Sequence, residues 1–109
     1  MTDMTVAKTI LEQLGGNRFK MMTGAHTFTG LPNGLSFRLP GGGGFCKNGV
    51  NFVRIILNAE DTYDIEFVKL RGVKFYVKAE RKSIYAEDLR QVFTRETGIE
   101  TNFGTMGVK

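Results

Sequence analysis

His26 and Cys46 are the chain's only imidazole and only thiol. Brought together, they would form a Cys/His pair in which the imidazole takes the thiol proton and the thiolate attacks. They stand twenty residues apart, and neither has a second ligand at metal-binding spacing. The plainer expectations are a turn residue for His26 and a partly buried loop thiol for Cys46. Glu60, Asp61, Asp64 and Glu66 form an acidic group that could suit magnesium or acid–base work. Arg54 and Lys78 are their expected neighbours, however, and solvated ion pairs are the commoner outcome of such a setting. Gly41 to Gly44 invites a phosphate-loop reading. That chemistry needs Gly-Lys-Ser/Thr opening a helix, so that backbone N–H groups, a lysine and a hydroxyl converge on phosphate and magnesium. Here Phe45-Cys46-Lys47-Asn48-Gly49 follows and a strand comes next, so a mobile loop over 41–49 is expected. The expectation is a protein with no catalytic residue, no metal and no cofactor, and not an enzyme.

The basic residues carry more information. Lys69, Arg71, Lys74, Lys78, Arg81 and Lys82 crowd one stretch, and the net charge of the chain is +4. Aromatic rings set among cations can stack bases while the cations hold phosphates. The candidate nucleic-acid contact set is Arg38, Arg54, Lys74, Tyr76 and Lys78 on one sheet face, with Arg71 at a hairpin tip. The same residues also read as an ordinary solvated face balanced by Asp64, Glu66 and Glu80. A second functional reading starts from Phe52, Ile56 and Val68 on that face. It is a protein-interaction module, either an inhibitor of a host protein or a homodimer.

These side chains must be positioned by the stretch from Val50 to Arg81. Tyr63, Ile65 and Phe67 alternate with Asp64, Glu66 and Val68, the two-residue period of a half-buried strand. Val73, Phe75, Val77 and Ala79 alternate likewise with Lys74, Tyr76, Lys78 and Glu80. Keeping the apolar sets on one face selects a three-residue loop, Leu70 to Gly72. That loop pairs Phe67 with Phe75, Ile65 with Val77 and Asp64 with Lys78. Val50 to Leu57 is the strand before, with Ile55 facing Ile65, Val53 facing Phe67 and Arg54 facing Glu66.

Upstream, Val6, Ile10 and Leu14 follow the 3.6-residue period of a helix over 4–14, closed by Gly15-Gly16. Arg18 to Met22 reads as a short strand and His26 to Leu31 as another. Pro32-Asn33-Gly34 is a tight turn, and Leu35 to Leu39 is a further strand. Downstream, Ser83 to Thr97 reads as the second helix, capped by Gly98. The fold class is α+β: an antiparallel meander of four to five strands with N- and C-terminal helices on one face. The expected core is Ile10, Leu14, Phe37, Val53, Ile55, Ile65, Phe67, Phe75, Val77, Leu89 and Phe93. Residues 1–98 form one domain, and residues 99–109 a loose tail. No stretch has the length and apolarity of a membrane helix, and the N-terminus lacks a signal-peptide pattern. With a single cysteine, the expected home is a reducing cytoplasm.

Leu14-Gly15-Gly16-Asn17-Arg18-Phe19 with Met22-Thr23-Gly24-Ala25, then Asp61 to Phe67, then Tyr85-Ala86-Glu87-Asp88-Leu89 with Val92-Phe93-Thr94, resemble a family of small uncharacterised proteins of phages, prophages and related mobile elements. The likeness spans nearly the whole chain apart from the tail and brings no site residues with it. It implies a bacterial cytoplasm and a small accessory gene product rather than a metabolic enzyme.

Overall fold

A computed structural model describes residues 5–40 and 49–98. The expected mobile loop except Gly49, with Cys46 in it, and the whole expected tail lie outside the described residues. Five antiparallel strands form one sheet in chain order: β1 His26–Leu31, β2 Gly34–Arg38, β3 Phe52–Leu57, β4 Tyr63–Arg71 and β5 Lys74–Ile84. The helices are α1 Thr5–Leu14, α2 Asn17–Thr23 and α3 Leu89–Thr97, the last entered through a 3-10 turn, Ala86–Asp88. The α+β meander with terminal helices is therefore present.

The helices cover one face. Ala7, Ile10 and Leu14 of α1, Phe19 of α2 and Leu89, Val92 and Phe93 of α3 are buried against that face. Leu35, Phe37, Val53, Ile55, Tyr63, Ile65 and Phe67 of the sheet complete the cluster. At its centre Phe37 meets Phe19 edge-on at 5.4 Å, and Phe19 meets Phe93 at 5.1 Å. Aromatic pairs of this geometry add about 0.5–1.5 kcal/mol each beyond burial. The buried Thr23 and Thr97 hydroxyls donate to the carbonyls of Phe19 and Phe93, one turn back, so neither is left unpaired.

The β3–β4 register is the expected one: Val53 faces Phe67, Arg54 faces Glu66 and Ile55 faces Ile65. Three other expectations are corrected. Arg18 to Met22 lies within a helix, α2, not a strand. Both Gly15 and Gly16 have positive φ, and Gly24 closes α2 in the left-handed conformation, so a seven-residue helix fits between glycine caps. The second correction is the start of α3. β5 runs to Ile84 and Tyr85 is extended, so the α-helix begins at Leu89 rather than Ser83. Gly98 caps it in the left-handed conformation, as expected.

The third correction is the β4–β5 hairpin. The turn has two residues, Gly72-Val73, with Arg71 opposite Lys74, Leu70 opposite Phe75 and Val68 opposite Val77. Gly72 supplies φ +62° at the first turn position, where a type II′ hairpin demands it. Continued unbroken, this register would set Lys78 beside Phe67 on the core side. A bulge prevents that: Phe67 pairs with Ala79, and Lys78 is the extra residue. A second irregularity brings Ile84 opposite Tyr63, with Ser83 at φ +59° and its N–H donating to Asp64 at 3.1 Å. Phe75 and Val77 consequently leave the core and are 46 % and 49 % exposed. The other nine expected core residues are buried.

β5 is an edge strand of eleven residues, exposed along almost its whole length.

Candidate functional site

The β4–β5 hairpin outruns the rest of the sheet. β3 begins at Phe52, opposite Val68, so residues 69–71 and 74–76 project beyond it. At about 3.3 Å per residue, that overhang is about 10 Å. Its base is braced by Asn51. The Asn51 side chain donates to the Leu70 carbonyl at 3.0 Å and accepts from the Leu70 N–H at 2.7 Å. One side chain thus acts as an extra rung of the ladder. Val73 at the tip is fully exposed.

Alternation and register sort the hairpin's side chains. Lys69 faces Tyr76 and Arg71 faces Lys74, all on the side continuous with the helix-covered face. Lys78, displaced by the bulge, joins them, with its Nζ 5.8 Å from the Tyr76 ring centroid. From Phe67 to Ala79 the sequence carries these four cations and no carboxylate. Among the described residues none of the four has an ion-pair partner. Tyr76, in their midst, is 42 % exposed.

The opposite side has another character. Phe75 packs against Phe52 at 6.1 Å between ring centroids, and the Arg54 guanidinium lies 5.7 Å from the Phe75 ring. Arg54 is not free to hold phosphate, because Nε and Nη2 both donate to Glu66. A shallow depression of about 430 Å³ opens next to this pair, bordered by Arg54, Asp64, Glu66, Glu80 and Lys82. Its mixed signs suit no polyanion.

The six sequence-expected contact residues therefore divide. Arg71, Lys74, Tyr76 and Lys78 gather on one side of the hairpin, whereas Arg38 and Arg54 stand on the helix-free side of the sheet. The expected face uniting Arg54 with Lys74, Tyr76 and Lys78 does not form, because the two-residue turn reverses which of Phe75 and Tyr76 accompanies Arg54. The expected Asp64–Lys78 pair is absent as well. Asp64 instead accepts from Asn58 at 3.0 Å and from the Ser83 N–H. Sequence reasoning left Lys69 out of the contact set. The signal that could have found it was the carboxylate-free run from Phe67 to Ala79.

On the helix-free side Phe52 and Ile56 are half-buried, but Val68 is fully buried and offers no contact surface. His26 is the exposed first residue of β1 rather than a turn residue, with Nδ1 2.8 Å from the Thr27 hydroxyl. No helix among the described residues is long and apolar enough to cross a membrane. No family model, curated protein or solved structure matches the chain.

Proposed function

We propose that this chain is a small, non-enzymatic binding module that holds nucleic acid with the cationic side of its β4–β5 hairpin. The observation that carries the reading is the set of four cations, Lys69, Arg71, Lys74 and Lys78, around the exposed Tyr76 ring, none with an ion-pair partner among the described residues. Cations on a projecting ribbon attract phosphate, and a ring among them offers a stacking surface. The resemblance to phage and mobile-element proteins adds a bacterial, accessory setting.

Four phosphate contacts fix the expected salt dependence. The slope of log K against log salt is about −3.6 for a duplex and about −2.8 for a single strand. Raising salt from about 50 to about 200 mM then weakens duplex binding roughly 150-fold. Gel-shift titrations with single- and double-stranded DNA and RNA test this. Replacing Lys69, Arg71, Lys74 and Lys78 together with Gln should abolish the shift, and each single replacement should lower the slope by about 0.7–0.9. No shift with any of these nucleic acids, or a shift indifferent to salt, refutes the reading.

The alternative reading, an inhibitor of a host protein or a homodimer, is favoured by one specific observation. Phe75 and Val77 leave about half their surface in water on the helix-free side, on β5, whose outer edge pairs with no strand among the described residues. Light scattering after size exclusion and pull-down from bacterial lysate separate the two. A monomer without a protein partner removes the alternative.

A further inference from the structure

Resting on the nucleic-acid reading above, we propose that the hairpin is built for single strands, with Tyr76 as the base-stacking platform. A cationic ribbon alone would serve a duplex equally well. The distinguishing feature is where the ring sits. Tyr76 lies inside the cationic cluster, opposite Lys69 and between Lys74 and Lys78 along β5. A duplex keeps its bases stacked inside and shows phosphates outside, so a ring in that place would stand between the cations and the backbone and have nothing to stack upon. A single strand offers unstacked bases, each with a free π-face.

The spacing fits the same partner. Residues two apart along a strand are separated by about 6.6 Å, near the step of one extended nucleotide. Lys74, Tyr76 and Lys78 therefore present cation, ring and cation at successive steps along roughly 13 Å, with Lys69 and Arg71 flanking on β4. Phe75 is the other exposed ring of the ribbon, but it packs against Phe52 on the opposite side, beside the Arg54–Glu66 ion pair and away from the four cations, which leaves Tyr76 as the platform.

Fluorescence anisotropy of the whole chain with a labelled oligo-dT, an oligo-U and a mixed-sequence duplex of equal length tests the inference. The single strands should bind at least about tenfold tighter than the duplex. Tyr76→Ala should weaken single-strand binding by about 5- to 150-fold, the range of one lost stacking contact. It should change duplex binding less than about twofold, and Tyr76→Phe should retain single-strand affinity. Circular dichroism of each variant checks that it is folded. Equal or tighter duplex binding overturns the inference. So does a Tyr76→Ala variant that binds single strands unchanged while the fourfold Gln variant loses them, and in that case the hairpin reading survives. Failure of the unaltered chain to bind any of the three probes overturns both.

Discussion

Truncating Phe67 and Phe75 separately distinguishes the observed hairpin from the three-residue loop that its apolar pattern suggests. In that loop the two rings face each other in the core; here one is buried and the other leans on the open side. Phe67 is 0 % exposed, so Phe67→Ala removes a whole ring from a packed interior and leaves a cavity. Substitutions of that kind cost about 3–5 kcal/mol. Phe75 keeps 46 % of its surface in water. Full burial of such a side chain contributes about 1.5–3 kcal/mol, so Phe75→Ala should cost roughly half of that, about 0.75–1.5 kcal/mol, since water fills the space it leaves. A domain of this size has about 5–15 kcal/mol in total, so only the first change threatens folding. With a urea m-value near 2 kcal/mol/M, the midpoint should fall by about 1.5–2.5 M for Phe67→Ala and by about 0.4–0.75 M for Phe75→Ala. Urea unfolding followed by far-ultraviolet circular dichroism reads both. Equal losses would refute the two-residue turn, the bulge at Lys78 and the sorting of side chains that follows from them.

Two further outcomes follow from named contacts. Asn51→Ala strips the Leu70 N–H and carbonyl of their partners, at a cost of about 1–3 kcal/mol. Faster amide exchange at Leu70 and its hairpin neighbours, with core amides still protected, is the expected signature. Burial holds the Tyr63 phenol above its ordinary value near 10, against the lowering effect of its 2.7 Å hydrogen bond to Gln13 and with help from Asp61. The unfolded chain therefore releases this proton first. The stability it contributes is complete below about pH 10 and is lost as pH rises through the folded value. Thermal melts of Tyr63→Phe against the unaltered chain should show a shallower alkaline decline.

The register between β3 and β4 was legible because both strands keep one apolar set that admits one alignment, Val53 with Phe67 and Ile55 with Ile65. The same logic failed one strand later. It required Phe75 and Val77 to share a face with Phe67, and no local feature of the sequence marks a bulge that spends Lys78 to bring Ala79 to the core. Asn17 to Thr23 is too short for helical periodicity to declare itself, and its cause lies in the glycines at either end. The start of α3 was misplaced because Glu87 and Asp88 suit the first turn of any helix, whereas Ser83 and Ile84 are held in β5 by pairing with β4. For the candidate site, the cations were visible but their grouping was not, because grouping depends on the parity of the turn. Tyr76 and three of the other five expected residues, Arg71, Lys74 and Lys78, nevertheless share one side of the hairpin.

The long outer border of β5, which pairs with no strand among the described residues, has a consequence for how copies of this chain behave towards one another. About every second of its eleven residues turns its main-chain N–H and C=O away from β4, a template for sheet growth, and Lys74, Lys78 and Lys82 along that border make approach by a second copy electrostatically unfavourable. Neutralising those ammonium groups, by substitution or by concentrated salt, removes the repulsion while leaving the template in place. If the proposed function holds, colloidal solubility and nucleic-acid capture draw on two of the same charges, Lys74 and Lys78, so neutralising those two weakens both.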